Sequence, residues 1–160
     1  GAGVGDDRLG GYLAACERLG VPSLVARGTE SMAEGHAMAS RLLGGPEPPT
    51  ALVCVSDTVA LGALRAVARR NLAPGRDVAV VGFDDTPFAA LPGFELTSLS
   101  QPIEEAGRTV VRMLLKHLER KGSRRGEAHE PGEPPATNVL LRPTLVIRSS
   151  TDPEASRLAR

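Results

Sequence analysis

Apolar residues recur along this chain in two rhythms, and the switch from one to the other marks its elements. Over 7–19, Leu9, Leu13, Cys16 and Leu19 fall on one stripe at steps of three and four, closed by Gly20, which predicts a helix. The short apolar run VPSLVARG follows, and the helical spacing resumes over 31–43 until Gly44-Gly45-Pro46 stops it. After the turn-rich GGPEPPT, 51–55 is an unbroken apolar run of strand length. The segment 57–70 is helical, with Val59, Leu61, Leu64 and Val67 apolar, and 78–81 is a second apolar strand. The longest helical pattern covers 102–120, where Ile103, Ala106, Val110, Met113, Leu114 and Leu118 share a stripe. Strands that are apolar throughout, separated by helices and by connections too long for hairpins, predict an α/β fold. Its parallel sheet is covered by helices on both faces.

The remaining segments read as connections. KGSRRGEAHEPGEPPAT, 121–137, mixes glycine, proline and charge without a period and is expected to be a solvated loop. NVLLRPTLVIRSST offers two short strand pieces split by Pro143, and 153–160 reads as a tail. A length of 160 residues suits one ordinary domain. Its 19 basic and 19 acidic residues cancel, so it lacks an electrostatic footprint for nucleic acid. No apolar run approaches a bilayer span.

Cys16 and Cys54 sit in apolar surroundings and are expected as reduced core thiols. The start, GAGVGDDRLGGY, lacks the segment order of a signal peptide and does not look like a natural beginning. GAGVG has no strand before it and is not a dinucleotide fingerprint, and Ser98 and Ser100 lack a nucleophile elbow. His36, His117 and His129 share no ligand spacing with one another or with either cysteine, so neither metal nor cofactor is expected. Glu104-Glu105 reads as a first-turn acidic pair favoured by the helix dipole.

The stretch VVGFDDTP is harder to explain by packing, because a core strand runs after one glycine into an aromatic ring and two adjacent acids. In an open parallel sheet, ligands bind beyond the carboxyl ends of the strands, where loops and helix N-termini present polar groups. Asp84 sits at such an end with no evident helix to cap, which points to recognition. Asp85 is expected to serve the turn, and Gly82 to let the chain bend sharply. CVSD places Ser56 and Asp57 at a second strand end, where Asp57 serves equally as the cap of the following helix or as a ligand contact.

These motifs together resemble the effector-binding region of the lactose-repressor (LacI/GalR) family of bacterial transcription regulators. The resemblance is carried by PTA, the polar-Asp pair, ALGALRA, DVAVVGFDD and LTSLSQP, with RLGGY near the start and LVIRSST near the end. It implies a periplasmic-binding-protein-like fold with two α/β subdomains around a small effector and a helix-turn-helix ahead of both. On that basis the chain is an incomplete piece: 1–100 and 145–152 form most of the C-terminal subdomain, and 101–144 is a returning part of the N-terminal one. The DNA-binding module is expected upstream of Gly1, and the helix over 102–120 lacks the sheet it would normally cover.

The resemblance further implies that Arg8, Ser56, Asp57, Asp84, Gln101 and Ile103 face the effector, the last two being equally plain hinge structure. Glu30 falls where sugar-binding relatives often place a stacking aromatic, so a sugar platform is not supplied from this position. Acids plus an arginine suit a sugar or another polyhydroxylated or polar metabolite. A homodimer is implied through Leu61, Leu64, Arg65, Pro87, Phe88 and Leu91, unless the leucines only face their own sheet. A cytoplasmic regulator without enzymatic activity is therefore the leading expectation. The competing ones are a periplasmic-type sugar-binding protein of an ABC transporter and an enzyme using Asp57 and Asp84 as an acid-base pair.

Overall fold

The computed structural model describes residues 4–123, 138–152 and 154. The loop expected over 121–137 lies outside these from 124 onward, as does the tail apart from Glu154. In chain order the elements are α1 (Val4–Leu19), α2 (Met32–Leu43), β1 (Ala51–Val53), α3 (Asp57–Arg69), β2 (Ala79–Phe83), a 3-10 turn (Pro87–Ala90), β3 (Thr97–Ser100), α4 (Ile103–Ser123) and β4 (Thr144–Val146). The strands lie in the order β1-β2-β3-β4. β1 pairs parallel to β2 with Leu52 opposite Val80, and β2 pairs parallel to β3 with Val81 opposite Thr97. The chain divides into two compact units, Gly1–Ser100 with Leu145–Arg160, and Gln101–Thr144.

The first unit owes its core to one face of the sheet. Leu52 and Val80 point to that face and meet Ala60, Ala63, Leu64 and Val67 of α3, with Leu96 at the start of β3 and Ala39 and Leu43 of α2 completing the cluster. Burying a side chain of this size is worth about 1.5–3 kcal/mol, so most of the unit's cohesion is here. Leu61 and Leu64 are 5 and 6% exposed, which corrects their expected part in a dimer patch: they face their own core. Arg65, Pro87, Phe88 and Leu91 do lie at the surface.

The other face is thinly covered. β2 alternates, so Ala79, Val81 and Phe83 turn to the side that α1 approaches and are only half-buried. The expected α1 stripe is not a core stripe, because Cys16 alone of its four members is buried and Leu13 and Leu19 are exposed. The run VPSLVARG is extended coil rather than a regular element.

Where α2 and α3 cross, Gly35 and Gly62 let the two backbones approach directly. An added Cβ at Gly35 would strike the backbone of Val59, and one at Gly62 would strike the carbonyl of Met32 and the backbone nitrogen of His36. Both helices begin on a serine. Ser31 Oγ accepts from the Glu34 amide at 3.2 Å and Ser56 Oγ from the Val59 amide at 3.4 Å, which satisfies a first-turn donor in each.

Two expectations about strands change. β3 was not foreseen, because Thr97, Ser98 and Ser100 break the apolar run. NVLLRPTLVIRSST yields β4 alone, and 138–143 forms no strand, consistent with the missing amide of Pro143. In the second unit α4 continues to Ser123 and carries a Glu104–Arg108 ion pair at 2.5 Å. Its stripe is uncovered, with Ile103 69% exposed and Val110, Leu114 and Leu118 more than half so.

Overpacking a tight crossing costs roughly 1–3 kcal/mol. Gly62→Ala should therefore lower the unfolding free energy read from urea denaturation by an amount in that range, whereas Gly107→Ala, with open space at its Cβ, should leave it unchanged or raise it. In the loop before β2, the Asp77 carboxylate is held by the Arg76 guanidinium and by the Ala73 amide at 2.7 Å, which pull its pKa from 3.8 down to about 2. A depressed carboxylate stabilises the fold above its unfolded pKa, and the contribution disappears as pH falls through the folded value. A carboxyl NMR titration should place the Asp77 midpoint near that value, and in Arg76→Ala it should move up.

Candidate functional site

The site grows from the carboxyl end of β2. Phe83 is its last residue, and the ladder runs one step further as the Asp84 amide donates to Leu99 O at 3.0 Å. The reversal is made by the acids themselves: Asp84 has φ 105° and Asp85 φ 50°, both in territory that favours glycine. Such conformations cost about 1–3 kcal/mol each and persist where the surroundings over-determine them. Gly82, expected to supply the bend, lies inside β2. Its hydrogen leaves room for the Asp57 carboxylate, which an added Cβ would strike.

Asp57 is the first residue of α3 and is 1% exposed. Its Oδ2 accepts from the Thr86 amide at 2.6 Å and from Thr86 Oγ1 at 2.9 Å, and its Oδ1 accepts from Ser98 Oγ at 2.6 Å. Ser98 Oγ in turn accepts from the Asp85 amide at 3.1 Å. The carboxylate is fully engaged inside the chain, so the geometry assigns Asp57 to holding the turn rather than to ligand contact. It also denies Asp57 the access that an acid-base pair with Asp84 needs. Ser56 is 2% exposed and is the helix N-cap, so both Ser56 and Asp57 depart from the expected effector contacts. Burial first, and then the charge of Asp57, push the neighbouring Cys54 thiol up to about 12.

The second acid is anchored from the far end of the chain. Arg148 Nη2 donates to Asp85 Oδ1 at 2.8 Å and its Nη1 to Leu96 O at 2.7 Å. The Arg148 amide donates to Thr97 Oγ1 at 2.8 Å. Two residues on, Ser150 Oγ donates to Val80 O at 2.6 Å and accepts from the Thr97 amide at 2.8 Å. No buried side-chain polar atom among the described residues lacks a hydrogen-bond partner.

Arg8 reaches this end of the sheet from α1. Its guanidinium lies 3.8 Å from the centroid of the Phe83 ring, and Nη1 donates to Val55 O at 2.6 Å. Stacking and a charged hydrogen bond fix the plane of the guanidinium and leave further N–H donors on its fork. The structure thus brings Arg8 to the residue preceding Asp84. Glu30 is exposed just ahead of α2, and among the described residues no hydrogen bond or ion pair ties it to this group. Gln101 and Ile103 belong to the second unit, where Gln101 O accepts from the Ile103 amide at 2.8 Å. A hollow of about 260 Å³ near the end of α2, lined by Leu24, Arg41, Leu42, Gly45, Pro46 and Glu47, contains none of the expected site residues.

Thr86, Ser98 and Arg148 had no assigned role in the sequence reading. The signal was present as hydroxyls inside LTSLSQP and as one arginine inside LVIRSST, each a polar residue in a strand-like context.

The profile of the periplasmic binding protein-like domain matches residues 1–151. The HTH-type transcriptional repressor CytR of Escherichia coli is 36% identical over 115 residues, covering 70% of this chain and 34% of the repressor. The HTH-type transcriptional regulator MalR of Streptomyces coelicolor is 37% identical over 129 residues, 80% of this chain and 33% of the regulator. Among solved structures, a regulatory protein of the LacI family from Chloroflexus aggregans superposes with a TM-score of 0.78 at 37% identity, covering 92% of this chain and 50% of that one. The chain belongs to the periplasmic binding protein-like family, in its LacI type. This LacI-type chain spans about a third of the length of the two regulators it matches. None of the helices among its described residues is long and apolar enough to cross a membrane.

Within the LacI-type unit, Asp57→Ala would strand a buried amide and two hydroxyls, at a cost of about 3 kcal/mol or more. Chemical denaturation should show that loss. In Asp57→Asn, removal of the charge should also lower the Cys54 pKa, read from the pH dependence of thiol alkylation.

Proposed function

We propose that this chain is the effector-sensing part of a LacI-type transcription regulator, with Asp84 and Arg8 as its ligand-facing pair. One observation supports the reading: an acid at positive φ, Asp84, and an arginine stacked on the preceding Phe83 lie at the carboxyl end of a parallel strand. The carboxylate accepts from ligand hydroxyls or amines, and the guanidinium donates, which suits a sugar or another polyhydroxylated polar metabolite. No chemical step is assigned to the site.

In the proposed whole protein, DNA is held by a separate helix-turn-helix beyond these residues. Effector binding shifts the population of the DNA-holding conformation. The protein is a cytoplasmic homodimer, with Arg65, Pro87, Phe88 and Leu91 on the shared surface. The regulators among its relatives support this over a transporter's sugar-binding protein.

A thermal-shift screen of the full-length protein against pentoses, hexoses, disaccharides and nucleosides supplies the ligand. Asp84→Ala and Arg8→Ala should each weaken its effect on operator binding about 30-fold, near 2 kcal/mol, and leave operator affinity without ligand unchanged. A wild-type response in Asp84→Ala would remove the assignment. For the dimer, sedimentation of Phe88→Asp should show monomer at concentrations where the parent is dimeric.

A further inference from the structure

We infer that Arg148 is a positioning residue for Asp84, acting through Asp85 to hold the turn in the conformation that aims the first acid. The inference rests on the ligand-facing reading of Asp84 but is tested without a ligand.

Asp84 and Asp85 are two consecutive non-glycine residues with positive φ, a combination the chain does not adopt unaided. Three devices hold them. The Asp84 amide is fixed to Leu99 O by the strand ladder. Thr86, the residue after the pair, is fixed to Asp57 through both its amide and its hydroxyl. Between these anchors, Asp85 is held by its amide on Ser98 Oγ and by its carboxylate on Arg148.

Within the third device, the Arg148 contact differs from the others. Asp57 and Ser98 are buried members of the core, and altering them unsettles the whole unit. The Asp85 and Arg148 side chains are 18 and 19% exposed, and neither belongs to the hydrophobic cluster. Their ion pair therefore acts on the turn while contributing little to packing.

The geometry of Arg148 suits a clamp. One arm of its guanidinium takes Leu96 O, where β3 begins, and the other takes Asp85, so the fork spans the base of the turn. Its own backbone is locked in return, since its amide donates to Thr97 Oγ1 and Thr97 Oγ1 donates to its carbonyl at 3.0 Å. An arginine with both backbone and fork fixed is a rigid strut, and the rotation it removes is that of Asp85 about its positive φ. Since Asp84 shares a peptide bond with Asp85, freeing the second acid frees the direction of the first.

Hydrogen exchange followed by mass spectrometry on the full-length protein reads this directly. In Arg148→Met and in Asp85→Ala, exchange of the amides at 84–86 should rise about tenfold or more, while amides of α2 and α3 keep their parental rates. At 84–86 the double variant should exchange no faster than Arg148→Met alone, because that variant already removes the Asp85 contact along with the one to Leu96 O. Asp85→Asn, which keeps an acceptor for Arg148 and tolerates positive φ, should stay within about threefold of the parent. Acceleration spread evenly over the core would assign Arg148 to general stability and overturn the inference, as would unchanged exchange at 84–86. The ligand screen answers separately: if no compound's effect depends on Asp84, the ligand-facing reading fails, while the exchange result still decides whether Arg148 holds the turn.

Discussion

A carboxylate taken out of water must be met by donors, and in this protein that requirement organises everything near the end of the sheet. Asp57, 1% exposed, receives a backbone amide and two hydroxyls. The donors come from two places, Thr86 in the turn after β2 and Ser98 in β3, and the glycine in β2 leaves room for the oxygens. Helix α3 therefore starts where it does, β3 carries a buried serine, and β2 tolerates no side chain at Gly82. One acid ties the helix to two strands and leaves the turn between them a single path.

That arrangement divides the sheet's faces by task. The α3 face is filled with aliphatic side chains and with the hydrogen-bonded Asp57 and Ser98. The α1 face is half-open, and there an arginine lies on Phe83 beside a strained acid. On that face Arg8 spends one N–H on Val55 O and keeps further donors on its fork. The family profile and the LacI-type structures agree with an α/β fold of this kind, and in open parallel sheets strand ends are the general place for ligands.

Periodicity made the packed side of the fold legible. α2, α3 and the strands β1 and β2 were visible as apolar stripes and runs, since burial in one core selects those residues, and α4 showed its stripe although that stripe is exposed. β3 was hidden for the opposite reason: Thr97 and Ser98 are as buried as any valine, but their burial is balanced by hydrogen bonds to Ser150, Arg148 and Asp57, and a hydropathy pattern does not register a bond. The same blindness explains Gly82, whose value lies in the neighbour it admits, and Arg148, whose partner is 63 residues away. Leu61 and Leu64 show the converse. The pattern alone places them on an apolar face, and packing against α2 and the sheet shows which one. Of the proposed site, Asp84 was legible as an acid at a strand end and Arg8 only through the family resemblance, whereas the internal uses of Ser56 and Asp57 are revealed by three-dimensional geometry.

The glycine crossing between α2 and α3 has a mechanical consequence. Side chains between helices act as springs, because rotamers adjust when one helix shifts. At Gly35 and Gly62 backbone bears directly on backbone, with no such compliance. The pair behaves as one stiff pier, and the N-terminus of α3, with Asp57 mounted on it, cannot yield when the turn is loaded. Any displacement imposed at Asp84 is then borne on the opposite side, by the residues following β4, where single hydroxyl and guanidinium contacts set the stiffness.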